Sequence, residues 1–262
     1  MGASQSPEVV VITGASGGVG RATVQAFAKR GAYIGLLARG QAGLEVAKRE
    51  VEMLAGKAIA IPTDTADYDA VEAAAQRVEE TFGPIDIWVN VGFATVFAEF
   101  KNITPAEFRR VTEVTYLGYV HGTMAALKRM LPRDGGKIVQ VGSALSYVSI
   151  PLQSAYCGAK HAINGFTNSI RIELRHDHSN VQISIAQLPA VNTAQFIWGR
   201  NKMPRKAQPA PHLPAGSNRG GRLLAGASQP TRAVDRRLDS AGDTGREAGA
   251  LAHSVGPRQN GL

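Results

Sequence analysis

The sequence predicts an α/β fold, in which a doubly wound parallel sheet carries helices on both faces. Two observations predict it. Short apolar and β-branched runs alternate with longer amphipathic segments from residue 8 to residue 188, which is the pattern of parallel strands joined by crossover helices. The first of these strands also leads directly into a glycine-rich turn and then a helix. We therefore expect a single three-layer α/β/α domain over residues 1–198.

The elements follow one another in regular alternation. Strands are predicted at residues 8–13, 33–38, 58–61, 85–90, 137–141 and 181–188. Helices are predicted at residues 21–30, 41–54, 67–82, 104–131 and 153–178. The fourth helix has the clearest start, because Thr104-Pro105-Ala106-Glu107 is a capping box with proline at the first helical position.

The turn after the first strand reads Gly14-Ala15-Ser16-Gly17-Gly18-Val19-Gly20. Glycines permit a tight turn and let backbone N–H groups approach a phosphate closely. The N-terminus of the following helix adds a partial positive charge. In this strand–turn–helix context the glycines predict a dinucleotide-binding site.

Ser143, Tyr156 and Lys160 are the candidate catalytic residues. On a helix over residues 153–178, Tyr156 and Lys160 are four residues apart and share a face. A nearby ammonium favours the phenolate, so we expect Lys160 to lower the pKa of Tyr156 towards the working range. Ser143 follows the strand at 137–141, and a short loop can bring its hydroxyl beside the tyrosine. The trio suits proton transfer at a carbonyl or alcohol oxygen, although a tyrosine and lysine at this spacing can also be a surface pair.

With these motifs in order, residues 8–198 resemble the short-chain dehydrogenase/reductase family. The resemblance implies a Rossmann-type fold and hydride transfer between a nicotinamide cofactor and a small-molecule carbonyl or alcohol substrate. It implies that Ser143 orients the substrate, that Tyr156 is the general acid/base, and that Lys160 assists it. The residues that it assigns to the cofactor are Thr13, Gly14, Ser16, Gly17, Gly18, Val19, Gly20, Asp64, Thr65, Asn90, Gly92, Tyr156, Lys160, Pro189, Val191 and Thr193.

Three departures from the family pattern affect the expected chemistry. Val91, Gly92 and Phe93 replace the end of an Asn-Asn-Ala-Gly turn. Thr115 stands where the family often has a catalytic asparagine in a proton relay, so we expect slower chemistry. After residue 198 the helix and final strand of the family are not evident. A catalytically impaired, cofactor-binding relative is therefore the alternative function.

Arg39 is the candidate determinant of cofactor choice. The second strand ends Leu37-Ala38-Arg39, without the acidic residue that usually binds the ribose of NAD. The planar guanidinium of arginine can pair with a 2′-phosphate. We expect NADP(H), with NAD still possible and a solvated arginine as the alternative interpretation.

Residues 199–262 form an atypical basic tail. They hold 11 Lys and Arg against 4 Asp and Glu, whereas residues 1–198 hold 18 against 17. The tail contains no Ile, Phe, Tyr or Trp, so its apolar surface is too small to offset chain entropy and we expect disorder. Three interpretations remain open: a flexible basic tail, a tail that binds nucleic acid or membrane, and an out-of-frame translation product.

Composition narrows the remaining possibilities. The body is nearly neutral, with one cysteine and no apolar run long enough to span a bilayer. We expect a cytoplasmic protein with no metal, no nucleic-acid partner and no membrane partner. The family resemblance suggests a homodimer or homotetramer through the helices at 104–131 and 153–178. An apolar substrate is expected from the candidate pocket residues Leu145, Tyr147, Leu152, Val191, Phe196 and Trp198.

Overall fold

The structure, a computed structural model, describes residues 6–189 and 198–204. Within them the strands are β1 (Val9–Thr13), β2 (Tyr33–Ala38), β3 (Lys57–Pro62), β4 (Ile87–Asn90), β5 (Val96–Phe97), β6 (Lys137–Ser143), β7 (Gln182–Leu188) and β8 (Arg200–Asn201). The helices are α1 (Gly18–Ala28), α2 (Gln41–Glu52), α3 (Tyr68–Phe82), α4 (Pro105–Thr112), α5 (Gly118–Met130) and α6 (Ser154–His176).

Six parallel strands form one sheet in the order β3-β2-β1-β4-β6-β7. The chain winds outward in both directions from β1 and β4, so the strand order reverses at this central pair. Open sheets of this kind bind ligands at the carboxyl ends of the strands beside the reversal. The predicted doubly wound parallel sheet is confirmed, and its strands begin and end within two residues of the predicted positions.

The sheet is buried on both faces. Val10 and Ile12 of β1 pack into one apolar cluster with α1 and α2. Val9 and Val11, which point the other way, join a second cluster with α3, α5 and α6. Burial on both faces explains why the strands read as continuous apolar runs and not as alternating patterns. The three-layer α/β/α arrangement is therefore confirmed.

The helix predicted over residues 104–131 is present from Pro105 to Met130, but it is not α-helical throughout. A π-helical turn, Glu113–Leu117, separates α4 from α5. Inside this turn the Thr115 hydroxyl donates to the Ala94 carbonyl at 2.8 Å and accepts from the Ala94 N–H at 2.9 Å. Tertiary bonds of this kind hold a widened turn that helical periodicity alone does not reveal.

Strands β5 and β8 pair with each other outside the main sheet, and the sequence patterns did not predict them. The Lys202 backbone N–H donates to the Phe97 carbonyl at 2.9 Å. The folded chain thus continues past the boundary predicted at residue 198. The predictions for the tail from residue 205 onward, and for residues 190–197, lie outside the described residues.

Candidate active site

The glycine-rich turn between β1 and α1 is built from close backbone contacts. Gly14 has φ +66°, and a Cβ there would meet Gly92 Cα at 2.9 Å. A Cβ on Gly20 would meet the Gly14 carbonyl oxygen at 2.1 Å. Gly17 caps α1 without a side-chain hydrogen bond, which leaves the first N–H groups of the helix for a ligand. The turn therefore fits the pyrophosphate of a dinucleotide, with Ser16, Gly18 and Val19 completing it.

Thr13 joins this turn to the end of β4. Its Oγ1 accepts hydrogen bonds from the backbone N–H groups of Val91 at 2.9 Å and Gly92 at 3.2 Å. The altered segment after Asn90 is thus held through its backbone N–H groups, which are present whatever side chain stands at position 91. Thr13, Gly14 and Gly92 lie together, as the sequence predicts.

Asn90, in contrast, does not present its side chain to the site. It is fully buried. Its Oδ1 accepts from Trp88 Nε1 at 2.9 Å, and its Nδ2 donates to Gln140 Oε1 at 2.9 Å. A satisfied interior amide of this kind fixes strands to one another. The side chain of Asn90 is thus used within the fold, and the predicted contact of this residue with the cofactor stays a prediction.

Asp64 lies at the end of β3 with two cations near it. Arg110 Nη2 of α4 donates to its Oδ2 at 2.6 Å, and the Ala66 N–H donates to its Oδ1 at 3.1 Å. Partial burial raises the pKa of Asp64, but these bonds and the charges of Arg110 and Arg39 outweigh it, so the pKa lies below its usual value. Arg39 is exposed at the end of β2. Sequence patterns did not predict Arg110, because the pairing spans 46 residues.

Thr65 is buried beside Asp64, and its carbonyl oxygen lies 2.9 Å from His121 Nδ1. Gly118 packs directly over it, since a Cβ at that glycine would meet Thr65 Oγ1 at 2.8 Å. Thr65 thus forms part of the floor between β3 and the start of α5. Its predicted contact with the cofactor stays a prediction.

Ser143 and Tyr156 meet at the carboxyl end of β6. The Ser143 Oγ accepts from the Leu145 N–H at 3.1 Å, and the Ser143 hydroxyl lies close enough to Tyr156 to lower the pKa of that phenol. The Tyr156 ring makes an edge-to-face contact with Phe93, with centroids 5.9 Å apart. The predicted approach of the serine loop to the tyrosine helix is present in the structure.

The pKa of Tyr156 differs from the sequence-based expectation. Burial raises it to about 12, and the hydrogen bond with Ser143 only partly opposes that rise. The expected lowering by Lys160 is absent because that side chain is itself desolvated. Burial lowers the pKa of Lys160 to about 7, so its charge is only partly present at neutral pH.

Lys160 Nζ is nevertheless close to the tyrosine, 5.7 Å from the centroid of its ring. Lys160 is 2 % exposed and lies on the buried face of α6, one turn beyond Tyr156. The structure therefore brings Ser143, Tyr156 and Lys160 into one cluster beside the glycine turn. Proton transfer to or from an oxygen at Tyr156 is the chemistry that this cluster supports.

Of the remaining predicted site residues, Thr115 and Pro189 lie within the described part of the chain. The Thr115 hydroxyl is bonded to Ala94 as both donor and acceptor, and it makes no direct hydrogen bond with Lys160. Pro189 is exposed just after β7. Val191 and Thr193 lie outside the described residues. The relay role predicted for Thr115 stays a prediction.

A family model described as short chain dehydrogenase matches residues 8–202. The chain belongs to the short-chain dehydrogenase family. Its relatives include the uncharacterized oxidoreductase YxnA of Bacillus subtilis (strain 168), 32% identical over 71% of this chain and 52% of that protein. The 3-dehydrosphinganine reductase of Danio rerio is 32% identical over 71% of this chain and 57% of that protein. This short-chain dehydrogenase thus spans about half the length of the curated relatives that it matches.

Solved structures agree with this assignment. An alcohol dehydrogenase from the archaeon Thermococcus sibiricus, complexed with 5-hydroxy-NADP, has a TM-score of 0.66 and 27% identity, covering 76% of this chain and 83% of that one. A putative short-chain alcohol dehydrogenase from Sinorhizobium meliloti 1021 has a TM-score of 0.68 and 26% identity, covering 72% and 74%. The fold and the family match therefore agree.

In this short-chain dehydrogenase, Trp198 lies against the glycine turn, a position that sequence patterns did not indicate. A Cβ on Gly17 would meet the tip of the Trp198 indole at 2.9 Å. The segment is held in place through Glu107, which binds Arg200 and Lys202. Hydrogen bonds from Lys202, and then from Thr104, hold the pKa of Glu107 at about 2, so this anchor stays charged at working pH.

The described parts of this short-chain dehydrogenase, residues 6–189 and 198–204, hold no group of three metal-ligating side chains. In those same ranges no helix has the length and apolarity that crossing a bilayer requires. Cys157, beside Tyr156, is buried and free.

Proposed function

We propose that this enzyme reduces an apolar ketone or aldehyde with NADPH, and that Tyr156 donates the proton to the carbonyl oxygen. The observation that carries the proposal is the cluster of Ser143, Tyr156 and Lys160 at the end of β6, beside the glycine turn. When bound, the nicotinamide supplies the hydride. The protein supplies the proton, the orientation and the electrostatic environment.

Each member of the cluster has a separate task in this proposal. Ser143, whose proton is not used by Leu145, donates to the substrate oxygen and orients it. Tyr156 holds the proton that the carbonyl oxygen receives. Lys160 stabilises the phenolate charge that develops on Tyr156 as the proton leaves, and holds the ribose of the nicotinamide half. Residues 13–20 and Gly92 hold the pyrophosphate, and Asp64 and Thr65 lie near the adenine end.

The pKa of Tyr156 favours the reductive direction. With a pKa of about 12, the phenol is protonated throughout the physiological range and acts as an acid without prior loss of a proton. Oxidation of an alcohol requires the phenolate, which this environment disfavours. The name of the reductase from Danio rerio agrees with this direction for that relative.

The titration of Lys160 determines the pH dependence that we expect for carbonyl reduction. Because its pKa is lowered to about 7, its charge is present below that pH and lost above it. We expect kcat/KM for carbonyl reduction to be level below about pH 7 and to fall above it. An initial-rate series from pH 5.5 to pH 9 at saturating NADPH measures this limb. A profile that rises across the same range contradicts the proposed role of Lys160 and the reductive direction.

Charge at the end of β2 supports NADPH over NADH. Arg39 is exposed there, and Arg110 and Asp64 lie nearby, so the local charge is positive overall. A guanidinium binds a phosphate through paired, charge-assisted hydrogen bonds. The solved archaeal relative holds an NADP derivative, which agrees with this preference.

Arg39→Ala is expected to weaken NADPH binding by about tenfold, since one charge-assisted hydrogen bond is worth about 1.5 kcal/mol or more. NADH lacks the 2′-phosphate, so its affinity is expected to change less than about twofold on the same grounds. Titration calorimetry with both cofactors measures the two dissociation constants. Arg77→Ala, which removes an exposed arginine from the second half of α3, is the matched control. Equal weakening of both cofactors contradicts a contact between Arg39 and the 2′-phosphate.

An apolar substrate is supported by the loop between β6 and α6. Tyr147, Val148 and Ile150 are all exposed on this loop, next to Ser143. The Phe93 ring, packed against Tyr156, adds a further apolar surface. A group of exposed apolar side chains at a catalytic cleft favours an apolar ligand.

Exposed apolar side chains on α5 and α6 suit contacts between subunits. Met124 of α5 and Ile172 of α6 are exposed, and apolar residues on these helices support the homodimer or homotetramer predicted from the family resemblance. The cytoplasmic location stays a prediction.

Thermal unfolding with and without NADPH tests the proposal first. A ligand at 100 times its dissociation constant stabilises a protein by about 2.7 kcal/mol, which gives an easily measured shift. We expect a larger shift with NADPH than with NADH, followed by turnover on a panel of apolar ketones and aldehydes. A shift without turnover supports the impaired, cofactor-binding alternative. No shift with either cofactor contradicts both.

A further inference from the structure

The buried end of Lys160 has two protein partners. Its Nζ donates to the Val141 carbonyl at 2.7 Å and to the Tyr119 hydroxyl at 3.1 Å. The same ammonium lies 4.7 Å from the centroid of the Tyr119 ring. Tyr119 is 1 % exposed and stands in the first turn of α5, directly after the π-helical turn. Neither the catalytic motif nor the glycine turn includes this tyrosine.

The Tyr119 hydroxyl is oriented by a bond of its own. It donates its proton to the Val141 carbonyl at 3.1 Å, so a lone pair faces Lys160. Burial first, and the neighbouring Tyr156 second, raise the pKa of Tyr119 well above 10, which keeps that proton in place. Tyr119 therefore acts as a fixed acceptor toward the ammonium.

The backbone of Tyr119 is anchored in the buried polar network below the site. Its carbonyl accepts from Thr123 Oγ1 at 2.7 Å and from Asn90 Nδ2 at 3.4 Å. Gln140 links the two, since its Nε2 donates to Thr123 and its Oε1 accepts from Asn90. Networks with all members satisfied are rigid. The orientation of the Tyr119 side chain is thus fixed by β4, β6 and α5 together.

We propose that Tyr119 is a positioning residue for Lys160: its hydroxyl and its ring hold the buried ammonium at the end of β6 and favour its charged form. The inference rests on the proposed function, in which Lys160 assists Tyr156. An ammonium has three donors. Two go to Tyr119 and Val141, so one remains for the catalytic side of the lysine.

The physical consequence concerns the charge on Lys160. An acceptor and an aromatic face both stabilise an ammonium, most strongly where water is excluded. Burial alone lowers the pKa of Lys160 to about 7, and loss of the Tyr119 hydroxyl lowers it further. Among the described residues, the titratable side chains that face Lys160 are Tyr119 from α5 and Tyr156 from its own helix.

Tyr119→Phe in the full chain tests the proposal through the pH profile of carbonyl reduction. The alkaline limb of kcat/KM is expected to move to lower pH by about one unit, because one hydrogen bond to a charged group is lost. Tyr116→Phe is the matched control, since that tyrosine lies in the adjacent π-helical turn and packs on Phe166. An unmoved limb in Tyr119→Phe, or a limb that moves equally far in Tyr116→Phe, overturns the proposal.

A double-mutant cycle in urea provides a readout that needs no substrate. Tyr119→Phe is expected to lower the unfolding midpoint in the wild-type background and to lower it less in a Lys160→Met background, because contacting residues are not additive. Equal shifts in the two backgrounds overturn the contact. If the wild-type enzyme reduces no carbonyl compound, the proposed function fails while this cycle still decides whether Tyr119 holds Lys160.

Discussion

Replacing Tyr156 with phenylalanine is expected to lower kcat/KM for NADPH-dependent carbonyl reduction by about 10²–10⁴-fold, the range that a positioned general acid contributes. The variant keeps the ring that contacts Phe93 and loses only the hydroxyl that lies beside Ser143. Steady-state rates on the best apolar ketone measure the loss. Because the proton source is removed and the cofactor cradle is not, the loss should fall on kcat more than on KM.

Two measurements make this result specific. The NADPH-induced shift in unfolding temperature should be retained in Tyr156→Phe, since the glycine turn and Arg39 are unchanged. Tyr33→Phe is the matched control, because Tyr33 begins β2 and packs on Phe82 at the opposite end of the sheet from Ser143. If Tyr156→Phe keeps more than a tenth of the wild-type rate, Tyr156 is not the acid, and Ser143 or a solvent proton takes its place.

Local sequence order predicted the parts of the site that are close in the chain. The run from Val9 through the glycine turn into α1 is one continuous segment, and its strand–turn–helix form follows from residue types alone. The four-residue spacing of Tyr156 and Lys160 places them on one helix face by geometry. Ser143 needed only the short loop after β6 to reach them.

The features that the sequence did not predict all depend on contacts between segments that are distant in the chain. Arg110 meets Asp64 across 46 residues, and Tyr119 meets Lys160 across 41. The π-helical turn is held by Thr115 and Ala94, which come from different elements. None of these pairs produces a periodic pattern in the sequence, so none could be predicted from it.

The error about the pKa of Tyr156 has the same origin. A lysine one turn away predicts a lowered pKa only if its charge is present, and charge depends on burial that spacing does not reveal. Desolvation is the largest effect on the pKa of both side chains. The consequence is functional, because it leaves Tyr156 a protonated acid and makes Lys160 the group that titrates near neutrality.

That desolvation also has a cost in stability. In the unfolded chain the lysine ammonium titrates near 10.5, whereas in the folded chain burial lowers its pKa to about 7. Between these values the unfolded state binds more protons than the folded state, so the free energy of unfolding rises with pH through this window. Below pH 7 the folded protein carries the full penalty of the buried charge.

Lys160→Met is therefore expected to stabilise the fold while it removes activity. Replacing buried ion pairs by apolar side chains of similar volume often stabilises proteins by about 1–4 kcal/mol, and we expect a gain of that order here. The gain should be largest near pH 6 and should shrink by up to about 1.4 kcal/mol per pH unit between pH 7 and pH 9, as the wild-type lysine loses its proton. Loss of the electrostatic support for Tyr156 should lower kcat by about 10²–10³-fold.

Urea unfolding at pH 6, 7, 8 and 9 measures the stability difference, with rates taken on the same preparations. Lys29→Met, which changes an exposed lysine at the end of α1, is the matched control and should shift stability by less than about 0.5 kcal/mol at every pH. A gain that does not depend on pH means that packing, and not the buried charge, explains it. A destabilised Lys160→Met means that the bonds to Tyr119 and Val141 outweigh the desolvation of the ammonium, and Lys160 then supports the fold as well as the reaction.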